Sequence, residues 1–337
     1  MQFAGQPKPP VGVIFDSDLG SHIDTALALA LLYGFDGKNE ARVVALSVTR
    51  SNLSAAAFCD SIGRFYAGAV NAGFGFAART LPVGLATDRK IQDETPMVAK
   101  TLAMLKPDGT PLHPHGVQQF NDTADPAAVI RNALTGQYDQ NAMVVLAGPA
   151  SNLARTMMLP GVKELIERKV RYLVVSAGAF AEGAGIDPRI AMDVPAARRL
   201  FAEWPTPIFA VGAEMAASVR YPAASIEKDF AWATGHPVVD AYRAAGEMPY
   251  DAPTRDMEAV LYAVRPKENF FKLSEPGTIS VHDDGRTRFA ASGAGKHRYL
   301  VFDPEQKEDI LKVFTEVASA KPVVRQRFRP PKVEEKK

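Results

Sequence analysis

Three carboxylates, Asp16, Asp18 and Asp24, fall within the nine residues Asp16-Ser17-Asp18-Leu19-Gly20-Ser21-His22-Ile23-Asp24. An apolar run precedes them and an Ala/Leu-rich stretch follows, so a strand, a turn at Gly20 and a helix entry bring them to the mouth of one crevice. Carboxylates that close repel one another unless a cation or substrate hydroxyls take up the charge, and hard oxygen ligands suit Ca²⁺ or Mg²⁺. A structural role is also open to them, with Asp24 capping the helix and Asp18 filling a turn.

Three further segments have the same placement after a strand-like run. Ala147-Gly148-Pro149-Ala150-Ser151-Asn152 is a tight strand-to-helix junction, where Ser151 or Asn152 can satisfy exposed backbone groups and the Ala147 carbonyl can face the crevice. Ser176-Ala177-Gly178-Ala179-Phe180 leads on to Asp187-Pro188-Arg189, and Arg255-Asp256 heads a helical pattern over 257–264, where an Asp commonly serves the helix dipole.

The elements that must position these residues alternate in type. Apolar runs at 11–15, 42–48, 82–85, 142–146, 171–176 and 207–211 read as strands. Helical patterns cover 24–33, 54–68, 94–105 and 126–134, and further helices follow Pro149 and Pro195. This alternation predicts an α/β fold, a mainly parallel open sheet of Rossmann-like type with helices on both faces. Ligands of such sheets sit beyond the carboxyl ends of the strands, where all four segments lie. Toward the C-terminus, 278–281 and 286–290 flank Asp283-Asp284-Gly285 as a small hairpin. A strand at 299–302 and a helix at 304–318 complete this appendage. No linker divides the chain, so 10–322 reads as a single domain and 323–337 as a basic, Pro-containing tail.

Composition excludes several classes. The 337 residues are 47% hydrophobic and 23% charged, which is unlike a disordered chain. No apolar run reaches the roughly 18 residues of a membrane helix. The single cysteine, Cys59, rules out a disulfide framework and a Cys-rich zinc site. Net charge is +1, but residues 321–337 hold seven basic and two acidic groups, so the body is slightly acidic and a poor nucleic-acid binder. Residues 1–10 lack the apolar centre of a signal peptide, which makes a cytoplasmic protein the default expectation, although a periplasmic protein with its signal removed would look the same.

In their order, these segments resemble the calcium-dependent nucleoside hydrolase family, the inosine/uridine-preferring N-ribohydrolases, over about 10–322. Asp16 to Leu29 is similar to the family pattern D-T-D-x-G-N-D-x-D-D-A-L-A-L. The Gly148-Pro149 segment resembles G-P-x-T-N-L-A, Gly178-Ala179-Phe180 resembles G-G-A-F, and Asp193-Val194-Pro195-Ala196-Ala197 resembles D-x-P-A-A. Asp256 with Ala259-Val260-Leu261 resembles the family's late Asp and apolar helix. The resemblance implies hydrolysis of the N-glycosidic bond of a ribonucleoside or related ribosyl compound by metal-activated water. Asp18 then binds Ca²⁺ and serves as the catalytic base. Thr25, the Ala147 carbonyl and Asp256 stand at the other metal positions, and Asp24, Asn52, Asp187 and Arg189 at substrate-binding ones. Asp16, His22, Asn152 and Arg255 are supporting positions, and a homo-oligomer is implied.

Four positions depart from the pattern. Thr25 replaces a carboxylate that binds calcium in the family, which removes charge and oxygen contacts and weakens metal affinity. His22 replaces an Asp. Asp187 and Arg189 replace the Glu and Asn of a ribose-binding stretch. Arg255 stands where some members have a His as leaving-group acid, and a guanidinium is no useful proton donor at neutral pH. Arg189 has two readings: it pairs with an anionic group on the substrate, or it bridges to Asp187 or Asp18 and fills the metal position. A degenerate, ligand-binding or non-hydrolytic protein is the alternative to a weak or altered hydrolase. A phosphatase of the haloacid-dehalogenase type also places Asp-x-Asp after a first strand, but needs a later acidic pair at a strand end, whereas Asp283-Asp284 falls in a hairpin turn.

Overall fold

A computed structural model describes residues 9–71, 80–88 and 91–322. The tail expected at 323–337 lies outside them. Twelve strands are present among the described residues: β1 (Val11–Ser17), β2 (Ala41–Val48), β3 (Val83–Leu85), β4 (Ala142–Ala147), β5 (Val170–Val175), β6 (Ile208–Ala210), β7 (Arg220–Tyr221), β8 (Ala252–Pro253), β9 (Phe271–Leu273), β10 (Gly277–Val281), β11 (Thr287–Ala291) and β12 (His297–Phe302). Ten of them form one sheet in the order β11-β10-β12-β6-β5-β4-β1-β2-β3, with β9 paired to β12. The strands from β6 to β3 and the β12–β6 pair are parallel. The C-terminal hairpin β10–β11 is antiparallel and extends this same sheet through β12, whose His297 lies in register with Ile208 of β6.

Strand alternation divides the core. In β1, Val13 and Phe15 face one apolar cluster and Ile14 the other; in β4, Met143, Val145 and Ala147 oppose Val144 and Leu146, the period of two that a sheet covered on both faces requires. Helices Ile23–Gly37, Leu53–Asn71, Arg255–Val264 and Lys307–Ala318 cover the first face, and Pro126–Thr135, Ser151–Met157, Val162–Lys169 and Val194–Glu203 the second. The Ile23–Gly37 helix is buried nearly all round, as expected of a helix enclosed by others. Gly34 permits that enclosure, because a Cβ there would lie 2.0 Å from the Val317 carbonyl oxygen of the last helix.

The chain leaves β1 for β2 and β3 on one side, then returns to build β4, β5 and β6 on the other. The order therefore reverses between β1 and β4, and a crevice opens at their carboxyl ends. Among the described residues, no helix is long and apolar enough to cross a membrane.

Candidate functional site

Asp18 leaves the end of β1, Asp256 heads the Arg255–Val264 helix, and Arg189 lies on the short helix Pro188–Met192. They meet at the switch point although 171 and 67 residues separate Arg189 from its two partners. The Arg189 guanidinium lies between the two carboxylates. Its Nε donates to Asp18 Oδ2 at 3.1 Å. Its Nη2 donates to Asp18 Oδ1 at 3.0 Å and Asp256 Oδ2 at 2.8 Å, and its Nη1 to Asp256 Oδ1 at 2.5 Å and the Ser176 carbonyl at 2.9 Å. All five N–H donors of a guanidinium are thus engaged inside the protein. Of the two readings of Arg189, this geometry matches the bridging one.

Two hydroxyls close the cluster. Thr25 Oγ1 donates to Asp256 Oδ2 at 2.6 Å and Ser176 Oγ to Asp256 Oδ1 at 2.6 Å. Burial works against the Asp256 anion, but the guanidinium and the hydroxyls outweigh it and hold the carboxyl well below the usual range. For Arg189, burial is likewise outweighed by Asp18 and Asp256, which hold its pKa well above the ordinary value. Asp24 plays a different part. Its Oδ2 accepts from the Asp256 backbone N–H at 2.8 Å and its Oδ1 from that of Met257 at 3.4 Å, so it caps a helix other than its own. Burial first, and the neighbouring Asp256 second, push its carboxyl well up. Asp18 and Asp256 have no exposed surface, whereas Asp24, Arg189 and Arg255 keep 5%, 7% and 9%.

The substituted ribose and acid positions pair with each other. Arg255 Nη1 donates to Asp187 Oδ2 at 2.7 Å, while Nε and Nη2 donate to the carbonyls of Val211 and Gly178. The other Asp187 oxygen caps the helix that carries Arg189, accepting from the Arg189 N–H at 2.9 Å. Asn52 caps the Leu53–Asn71 helix through Oδ1 and donates to the Gln92 carbonyl. His22 is exposed at the start of the Ile23–Gly37 helix with no side-chain capping bond. Ser176, Ser47 and Glu258 were not among the site residues read from the sequence. Ser176 directly follows β5 and heads a segment the sequence does single out, but nothing there assigns its hydroxyl a role.

One layer below, Asp16 Oδ1 accepts from Ser47 Oγ at 2.6 Å and Asn152 Nδ2 at 2.8 Å. The Asp18 N–H donates to the Ala147 carbonyl at 2.9 Å, which ties the ends of β1 and β4 together. Gly148 permits this approach: a Cβ there would stand 2.7 Å from the Asp18 nitrogen and 3.0 Å from the Ser17 carbonyl carbon. Gly148→Ala must therefore push backbone from backbone, and is expected to lower unfolding free energy by about 1–3 kcal/mol in urea titration. Gly12→Ala, at the other end of β1, is the control. Its added Cβ would meet chiefly the movable amide end of Gln137, and a cost equal to that of Gly148→Ala would refute the argument.

The calcium that the resemblance implies does not fit these residues. Both carboxylates at its position are ion-paired to Arg189, Thr25 offers a hydroxyl that already donates to Asp256, and the Ala147 carbonyl accepts from Asp18. A cation in that space would meet a guanidinium.

Comparison with known proteins agrees with this architecture. The family model described as inosine-uridine preferring nucleoside hydrolase matches residues 13–322. A search of curated proteins found no match. Among solved structures, a plant nucleoside hydrolase aligns at TM-score 0.66 and 20% identity, over 93% of this chain and 100% of that one. The inosine-uridine preferring nucleoside hydrolase of Bacillus anthracis aligns at 0.63 and 16%, over 92% and 99%. The type III effector protein XopQ, solved with adenosine diphosphate ribose, aligns at 0.63 and 14%, over 94% and 96%.

Proposed function

Because this chain belongs to the inosine-uridine preferring nucleoside hydrolase family, we propose that its crevice takes a ribonucleoside or related ribosyl compound and cleaves the N-glycosidic bond slowly, without an activated metal-bound water. The observation that carries this reading is the convergence of Asp18, Asp24 and Asp256 at the β1/β4 switch point. In such a cleavage the C1′–N bond breaks, the base departs with the electron pair, and water adds to C1′ and loses a proton to solvent, from which a basic leaving group takes one up. The transition state is oxocarbenium-like. Asp18 and Asp256 against Arg189 leave one net negative charge beside that developing positive charge, which is the electrostatic help the site can give. It supplies neither a metal-bound hydroxide nor, through Arg255, a useful acid. Leaving groups that depart without protonation are therefore favoured over purines.

The test is base release from inosine, uridine and a pyridinium riboside, followed by chromatography with chelator and with added calcium. The expected result is slow release that neither addition changes, fastest from the pyridinium riboside, and reduced roughly 10²–10³-fold in Asp18→Asn, which removes the negative charge beside the developing cation. A second reading, a ribosyl-binding protein without turnover, is favoured by one specific contact: both Asp18 oxygens are taken up by Arg189, which leaves no free base. Saturable binding with no release from any riboside would establish it in place of the first.

A further inference from the structure

From the geometry we infer that Arg189 and Thr25 are a matched pair that replaces the calcium ion: the guanidinium takes the ion's place, and the neutral hydroxyl keeps the charge in balance. This rests on reading the crevice as the family's site, and concerns what holds its carboxylates together.

Charge arithmetic supports the match. The family pattern has carboxylates at the positions of Asp18, Thr25 and Asp256; three of them around a divalent ion leave one negative charge. Here two carboxylates surround one guanidinium, and one negative charge again remains. Either substitution alone breaks the balance. Aspartate at 25 beside Arg189 would leave three buried carboxylates against one cation, and a neutral residue at 189 would leave two against none. Buried charges without partners are costly, so the two changes are tolerable only together.

Geometry supports it as well. Four N–H bonds of one planar fork span both carboxylates at 2.5–3.1 Å, joining the groups that a hard ion would hold at about 2.3–2.6 Å. The fork is itself held: Asp187 caps the short helix that carries it, and Arg255 holds Asp187. Thr25 completes the arrangement by donating to Asp256 Oδ2, where a carboxylate would repel.

The experiment is calorimetric titration with Ca²⁺ alone, together with thermal unfolding, on the unmodified protein and on Thr25→Asp/Arg189→Asn. The unmodified chain is expected to give no calcium heat and an unfolding temperature indifferent to calcium and chelator. The double variant is expected to bind one Ca²⁺ at least about a hundredfold more tightly, because restoring a carboxylate and removing the cation opens an oxygen site. It should also gain thermal stability with calcium, or fold only in its presence. Tight calcium binding by the unmodified chain overturns the proposal, whether or not the double variant folds. So does a folded double variant that ignores calcium. Neither readout depends on turnover, so absent base release would count against the proposed activity and leave this inference standing.

Discussion

Arg189→Ala is expected to cost about 3–5 kcal/mol of folding stability at neutral pH, the usual loss when one partner of a buried ion pair is removed. Asp18 and Asp256 are fully buried and receive four hydrogen bonds from that one side chain; Thr25 and Ser176 cannot replace its charge. The deficit should shrink in acid. In the unmodified protein the Asp256 carboxyl is held below its ordinary value, so its contribution is complete above the unfolded value near 3.9 and is lost as pH falls below it. Without Arg189 the Asp256 carboxylate accepts a proton more readily, and acid then relieves its repulsion with Asp18. Urea denaturation at pH 7 and pH 4.5 measures both effects. The control is Arg199→Ala, whose ion pair with Glu203 is more than 40% exposed on each side; it should cost no more than about 1 kcal/mol. Equal costs for the two substitutions would show that the central cluster does not hold the site together.

The part of this arrangement that was legible in the sequence is the local part. Asp16, Asp18 and Asp24 announce themselves because they follow an apolar run and precede an Ala/Leu helix, and Gly148-Pro149 marks the junction opposite. Strand periodicity locates β1, β2, β4 and β5 to within a residue or two. The partner of Arg189 was not legible, since two readings of its charge suit the same sequence and the choice depends on a topology that folds residues 171 positions apart onto each other. The Asp187–Arg255 pair was hidden for the same reason. The hairpin's turn chemistry was readable at Asp283-Asp284-Gly285, but its attachment to the main sheet was not, because that depends on β12 pairing with β6 across the whole second half of the chain. The sequence assigns no element to residues 213–253, and they hold the short helices Ala223–Lys228 and Pro237–Ala245 and the two-residue strands β7 and β8.

Asp16 provides the other large expected effect, and its sign is opposite to that of Asp256. Its carboxyl has no exposed surface, its Oδ2 finds no hydrogen-bond partner among the described residues, and burial, with some help from Asp18, pushes it up to about 7 against the bonds from Asn152 and Ser47. A carboxyl whose folded value is raised binds its proton more tightly in the native state. Its contribution is therefore fully present below about 3.8 and is lost as pH rises through about 7. The loss is on the order of 4 kcal/mol. Asn at this position resembles the protonated acid: its Oδ1 can still accept from Ser47 and Asn152, and the amide cannot ionise. Asp16→Asn should thus match the unmodified protein near pH 3, exceed it in stability by about 1 kcal/mol at pH 4.5 and by a few kcal/mol at pH 8. Asp24 and Glu258 are also raised by burial, so the unmodified curve alone does not isolate Asp16. The difference between the two urea-denaturation curves does. Parallel curves from pH 4.5 to 8 would mean that Asp16 is ionised throughout, and that Ser47 and Asn152 hold it as an anion.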